Sequence, residues 1–183
     1  MEKLLGFLSE GLGLDPNYIR ILNKEPMLRL RINCYPPCPH PEMVNGAKPH
    51  SDRDMLTLLL NDNGVDGLQI WKDNYWLTLP SVPGALIIMI GDLLQIVSNG
   101  KYTSVEHRAV TNEKKNRMSI VMFATPQEDV LLGPTPQLID AAHPSLYKTV
   151  KAGEYRIVYI TPNNGGKGPP HALLTEHVKQ VNV

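Results

Sequence analysis

The sequence predicts an all-β core with flanking helices, arranged as a double-sheet jelly roll or barrel. Two patterns carry that reading. Short strand-like segments recur along the middle of the chain, and turn residues, not helices, separate them, which argues against a parallel α/β sheet. The third observation is size. A chain of 183 residues is long enough for one well-buried domain, since about 150 residues already hide roughly two-thirds of their extended surface on folding.

Taken in order, Leu4, Leu5, Leu8 and Leu12 recur at helical spacing directly after Met1, with no capping residue ahead of them. The chain therefore reads as one opened inside a helix. After a break at Leu14-Asp15-Pro16-Asn17, Leu28, Leu30 and Ile32 alternate with Arg29, Arg31 and Asn33, the period of a strand that ends at Tyr35-Pro36-Pro37. Further strands are predicted over 56–60, 67–71, 75–79, 85–90, 94–97, 103–110 and 117–125. Between them Asp62-Asn63-Gly64, Asp73-Asn74, Pro83-Gly84 and Asn99-Gly100 supply turn residues. From Pro134 the chain becomes Pro-broken, with a last helix predicted over 173–181. The expected divisions are a helical lead-in over 1–26, a β core over 27–130, and a C-terminal segment with helices over 131–183 that covers the site.

Composition excludes several classes of function. Lys plus Arg and Asp plus Glu number 18 each, so no whole-chain field draws in nucleic acid or an acidic membrane. The longest apolar run, 85–90, is far short of the roughly 20 residues a bilayer span needs. Glu10 interrupts the N-terminal apolar stretch and no A-x-A site follows, so it is not a signal peptide. A soluble, cytoplasmic protein is expected. Cys34 and Cys38 are too few and too close to staple a fold, and with His40 they lack a fourth ligand for zinc. The glycine-rich stretch 164–168 lacks phosphate-loop spacing and reads as a plain loop.

The chemistry gathers around His50-Ser51-Asp52. In an extended strand the one-residue gap points both ligands to the same face. A third ligand must come from elsewhere, and His107 lies on another predicted strand that would pass the first inside a barrel. Two imidazoles and one carboxylate bind iron(II) on one triangular face and leave the other positions open. Each residue alone is more simply a turn or surface hydrogen bond. The set gains weight from Arg117-Met118-Ser119, whose skip again shares one face. A guanidinium fork beside a hydroxyl grips a terminal carboxylate through charge-assisted bonds, as a cosubstrate anchor would. By the same parity Phe123 faces that site and is a candidate substrate contact.

These residues occur in a longer pattern, and with it the sequence resembles the plant-type 2-oxoglutarate and iron(II)-dependent dioxygenases. The matching elements are Asn33-Cys34-Tyr35-Pro36-Pro37-Cys38-Pro39, the segment 49–52, Leu56-Thr57-Leu58-Leu59, Gly67-Leu68-Gln69, Pro83-Gly84-Ala85, Ile90-Gly91-Asp92, Ser98-Asn99-Gly100 and the segment 104–108, in order. The resemblance spans residues 27–155. It implies a double-stranded β-helix, or distorted jelly roll, in which His50, Asp52 and His107 are at once the catalytic residues and the Fe(II) ligands. It further implies that Asn33, Tyr35, Arg117 and Ser119 border or hold 2-oxoglutarate. The reaction implied consumes dioxygen and hydroxylates or desaturates a small-molecule substrate, with phenolics and flavonoids of plant specialised metabolism the favoured class.

Two departures qualify the resemblance. Members of the family carry a sizeable N-terminal region ahead of this core, and the opening inside a helix predicts that it is missing here. An uncovered barrel edge favours self-association, so a monomer or weak homo-oligomer is expected. Met89 stands where many members have Asn. Two other functions fit the same residues: an ascorbate-dependent oxidase of the ethylene-forming type, and a truncated, non-catalytic relative acting as a binding module.

Overall fold

A computed structural model describes residues 1–23, 25–61, 64–160 and 173–175. Helix α1 (Glu2–Gly11) and the short α2 (Tyr18–Leu22) precede the strands. They are stapled at Ser9, whose hydroxyl donates to Leu5 O at 2.9 Å and accepts from Ile19 N at 3.2 Å. The strands are β1 (Met27–Tyr35), β2 (Asn45–His50), β3 (Leu56–Asn61), β4 (Leu68–Lys72), β5 (Tyr75–Leu79) and β6 (Leu86–Ile90). After α3 (Asp92–Val97) come β7 (His107–Val110), β8 (Arg117–Thr125), β9 (Leu131–Leu132), β10 (Val150–Lys151) and α4 (Ala152–Ile160).

Two four-stranded antiparallel sheets, β1-β8-β3-β6 and β2-β7-β4-β5, make the predicted all-β core. In the first, Leu30, Met122, Leu58 and Ile88 stand in register, as do Ile32, Ile120, Leu60 and Leu86. Those even-numbered side chains face away from the second sheet. Odd-numbered Arg31, Asn33 and Tyr35 of β1, with Arg117, Ser119 and Val121 of β8, line the space between the sheets.

Most of the apolar core lies outside that space. Leu5, Leu12 and Ile19 of the N-terminal helices, Leu56 and Leu58 of β3, all four apolar residues Leu93, Leu94, Ile96 and Val97 of α3, and Tyr147, Val150 and Tyr155 form one buried cluster. The interior cluster is smaller: Leu59, Leu68, Met89 and Val121.

Three expectations need correction. Residues 94–97 are helical, because a short buried apolar run fits either element and the Gly91-Asp92 pair ahead of it is a helix start, with Gly91 extended and Asp92 in the first turn. The strand predicted over 103–110 begins only at His107; Glu106 still accepts a backbone bond from Trp71 N, but 103–106 do not pair as a strand. At the C-terminus, Leu174 pairs with Tyr147 as an isolated bridge, while the rest of the predicted last helix, 176–181, and the loop 164–168 lie outside the described residues. Among the described residues no helix is long and apolar enough to cross a membrane.

Candidate metal centre

His50 closes β2, His107 opens β7, and the two are register partners across the ladder. Their ring centroids are 4.3 Å apart. Asp52 lies beyond the end of β2, so strand parity is not what joins it to His50; the loop over 51–55 does that. Asp52 Oδ1 stands 3.8 Å from His50 Nε2 and 3.7 Å from His107 Nε2. One ligand atom from each residue falls within 4.8 Å of the others.

Backbone and side chains around the three residues orient them. His50 Nδ1 lies 2.6 Å from Lys48 O and His107 Nδ1 3.1 Å from Val105 O. With Nδ1–H donating to those carbonyls, each Nε2 keeps its lone pair toward Asp52, the tautomer a metal-binding imidazole needs. Thr57, fully buried in β3, donates its hydroxyl to Asp52 Oδ2 at 2.6 Å and leaves Oδ1 for the histidines. Burial holds His107 below its ordinary pKa, with His50 adding to the effect and Asp52 opposing it. An imidazole already neutral is ready to ligate. Two nitrogens, one oxygen and no thiolate suit ferrous iron with open positions better than a closed structural zinc site.

The loop carrying Asp52 is clamped from α3. Asp92 Oδ2 accepts from Ser51 Oγ at 3.1 Å and from Tyr155 Oη at 2.8 Å, and Asp92 N donates to Asp52 O at 2.7 Å. Burial pushes the Asp92 carboxyl up to about 6, opposed by Ser104, Tyr155 and Ser51 and helped by the nearby Asp52. Gly91 is required by space: a Cβ there would stand 1.9 Å from Asp54 O.

A cavity of about 490 Å³ opens between the sheets, bordered by all three metal-site residues and by Asn33, Tyr35, Arg117, Ser119 and Phe123. Every residue singled out from the sequence therefore meets in one place. Arg117 is only 1 % exposed, yet its Nε and Nη2 have no hydrogen-bond partner among the described residues. Burial lowers its pKa while Tyr35, whose ring lies 5.3 Å from the guanidinium, opposes that. Unpaired buried donors are costly, so this end of the cavity is built for an anion. Asn33 Nδ2 donates to Ser119 Oγ at 3.4 Å beside it.

Sequence reasoning missed several supports of this site. Thr57 carried a signal, a polar residue within an apolar run. Gly46 and Gly67 carried a weaker one. A Cβ on Gly46 would lie 2.6 Å from the Tyr35 ring, and one on Gly67 2.7 Å from Arg117 Cδ and 3.0 Å from Val110 O. Both glycines let side chains of the first sheet lie flat against backbone of the second. Met89, placed by sequence where many members have Asn, is buried in the cavity wall with Leu59, Leu68 and Val121.

Comparison with known proteins agrees with this geometry. The 2OG-Fe(II) oxygenase superfamily profile matches residues 24–126. Oxoglutarate-dependent flavonoid 7-O-demethylase 1 of Ocimum basilicum is 46% identical over 153 residues, covering 84% of this chain and 41% of that protein. Jasmonate-induced oxygenase 4 of Arabidopsis thaliana is 42% identical over 176 residues, 94% of this chain and 50% of that protein. The crystal structure of JOX2 in complex with 2OG, Fe and JA superposes with a TM-score of 0.88 at 36% identity, covering 95% of this chain and 52% of that one. The chain thus spans about half the length of the relatives it matches.

Proposed function

The chain belongs to the 2OG-Fe(II) oxygenase superfamily, and from that premise we propose that it carries an iron(II) and 2-oxoglutarate site which oxidises a small organic metabolite by hydroxylation or desaturation. In this reading His50, Asp52 and His107 hold the iron, and Tyr35, Arg117 and Ser119 hold the far carboxylate of 2-oxoglutarate, with Asn33 beside them. The double-stranded β-helix core fits that role.

One observation carries the proposal: a buried guanidinium, two of whose nitrogens have no partner among the described residues, borders the same cavity as two histidines and an aspartate whose ligand atoms converge. Iron, when bound, supplies the activation of dioxygen that couples decarboxylation of 2-oxoglutarate to succinate and carbon dioxide with oxidation of the substrate. The chain's own residues do the rest. Lys48 O and Val105 O fix the imidazole tautomers, Thr57 turns the Asp52 carboxylate, and Arg117 with Ser119 sets the position of the cosubstrate. Leu59, Leu68, Met89 and Val121 keep water from the inner wall.

The substrate class follows the resemblance and the relatives, one named for flavonoid demethylation and one crystallised with JA. A phenolic or flavonoid is the favoured class. Anaerobic titration with iron(II) and 2-oxoglutarate is expected to give the visible charge-transfer band of the chelated pair, and oxygen is then expected to release succinate. No band would sink the assignment. Succinate release separates this reaction from that of an oxidase using ascorbate in place of 2-oxoglutarate.

A further inference from the structure

The three metal-site residues are not held alike. His50 and His107 are register partners across a ladder, so the sheet itself fixes their spacing. Asp52 lies off the ladder, and residues 103–106 ahead of His107 do not pair as a strand. Helix α3 reaches both segments. At its start Gly91 N donates to Met55 O at 3.1 Å, Asp92 N to Asp52 O at 2.7 Å and Leu93 N to Asp54 O at 3.3 Å. Amides at the start of a helix have no partner within it, and here the metal loop supplies the acceptors. Further along α3, Gln95 Oε1 accepts from Ser104 N at 2.7 Å, beside Val105, whose carbonyl orients His107 Nδ1. Positions i and i+3 are neighbours on a helix surface. One side of one short helix therefore grips both the loop of Asp52 and the approach to His107.

Each grip is backed by a tyrosine of the C-terminal segment. Gln95 Nε2 donates to Tyr147 Oη at 2.8 Å, and Tyr155 Oη donates to Asp92 Oδ2 at 2.8 Å. Ser104 N can only donate, so it fixes the amide oxygen of Gln95 and leaves the amide nitrogen for the phenol. Tyr147 and Tyr155 are buried in the same apolar cluster as Leu93, Leu94, Ile96 and Val97 of α3. Helix and tyrosines thus move as one body. Neither Gln95 nor either tyrosine borders the cavity between the sheets, so what they do for the site passes through its ligands.

We propose that Gln95, backed by Tyr147, positions His107, and that Asp92, backed by Tyr155, positions Asp52, so that the C-terminal segment sets the spacing of the metal ligands through α3. The proposal rests on the assignment of the oxygenase site and adds positioning residues to it. None of them touches the reacting atoms.

The test uses the 183-residue chain with Gln95→Met, which keeps the side-chain length and removes both bonds, and Tyr147→Phe, which removes only a hydroxyl. Calorimetry reads manganese(II) affinity, and the visible band of the anaerobic iron(II) and 2-oxoglutarate complex reads ligand geometry. Gln95→Met is expected to weaken manganese(II) about tenfold, the usual cost of losing a group that orients a ligand, and to shift the band. The melting temperature of the metal-free chain is expected to fall by only a few degrees. Tyr147→Phe is expected to weaken manganese(II) about threefold and to add nothing in the Gln95→Met background, since both act along one path. Tyr155→Phe is expected to add its own loss, because it acts on Asp52. A lower melting temperature with metal affinity and band unchanged would mean that Gln95 only packs, and would overturn the proposal. So would a full second loss from Tyr147→Phe on top of Gln95→Met. Should Gln95→Met fail to fold, Tyr147→Phe alone decides by the same readings. Absence of both manganese(II) binding and the band in the unaltered chain would instead strike the oxygenase assignment. Amide hydrogen exchange of the metal-free chain then decides the positioning role. Gln95→Met is expected to speed exchange over 104–107 and spare 51–55, and Tyr155→Phe to do the reverse; unchanged exchange, or the same change in both segments, would overturn it.

Discussion

The two faces of the sheet β1-β8-β3-β6 differ by one residue of register and by nearly everything else. Inward stand Arg31, Asn33, Tyr35, Arg117 and Ser119; outward, on the same strands, stand Leu30, Ile32, Met118, Ile120 and Met122. The outward face is where stability is made. Its β3 end is sealed by α1 and α3 over Leu56 and Leu58, while Leu30 and Ile32 remain 67% and 64% exposed. The inward face leaves buried donors of Arg117 without hydrogen-bond partners among the described residues. A folded chain tolerates that only where the opposite face supplies the surplus, so folding and chemistry are divided by side-chain parity.

The largest effect expected from this division is on the outward face. Leu56 is fully buried, and Leu56→Ala is expected to cost about 2–5 kcal/mol of unfolding free energy in urea titrations, the usual loss for a core leucine. Leu30→Ala, on the same face in β1, is expected to stay within about 0.5 kcal/mol. Equal losses would show that something covers Leu30 in solution and would break the contrast within that face.

Second in size is the response to metal. A divalent cation bound at 100 times its dissociation constant stabilises the folded state by about 2.7 kcal/mol. Manganese(II), a redox-quiet stand-in, is expected to raise the melting temperature of the unaltered chain and not that of His107→Ala. The variant itself is expected to fold, since His107 lies in neither buried apolar cluster. A metal response that survived the substitution would remove His107 from the ligand set.

Third, Arg117→Met removes a buried cation whose Nε and Nη2 have no hydrogen-bond partner among the described residues. Its stability is expected to be unchanged or higher by about 1 kcal/mol, because a buried charge is replaced by an apolar chain. Its 2-oxoglutarate affinity is expected to fall by about 1.5–3 kcal/mol, the range for hydrogen bonds to a charged group. Opposite signs in one variant are the sharpest form of the comparison between the faces. A variant that lost stability and kept 2-oxoglutarate would reverse the role given to Arg117.

Parity also governed what the sequence could disclose. The alternation of Leu28, Leu30 and Ile32 with Arg29, Arg31 and Asn33 gave β1, and the skips in Arg117-Met118-Ser119 and toward Phe123 gave the inward wall, because a strand's period is a local property. Asp52 shows the limit. Its approach to His50 depends on a loop held by Asp92 and Tyr155, the latter 63 residues further on, and no local period encodes that. Residues 94–97 show another limit: three buried apolar residues around a half-buried Gln95 are too short a run to tell helix from strand. Thr57 lay inside a quoted motif, but its bond to Asp52 Oδ2 became visible only when β3 was placed beside the loop.

The smallest expected effect tests the contact between the two sheets. Gly67 precedes β4, and an added Cβ there would stand 2.7 Å from Arg117 Cδ, 3.1 Å from its Nε and 3.0 Å from Val110 O. The carbonyl belongs to backbone that pairs with Gly67 itself, Val110 N donating to Gly67 O at 2.8 Å, so it yields only a little. The arginine is the flexible partner and gives way. Gly67→Ala is therefore expected to leave the fold in place, with a stability change within about 1 kcal/mol, and to shift the guanidinium off its position. That shift is expected to weaken 2-oxoglutarate about tenfold, a loss of roughly 1.4 kcal/mol, without altering manganese(II) affinity, because the metal-site residues lie elsewhere in the cavity. Calorimetric titration of both ligands reads the two effects separately. Loss of both affinities together would mean that the backbone, not Arg117, had moved, and that the inward face depends on its packing as much as the outward face does.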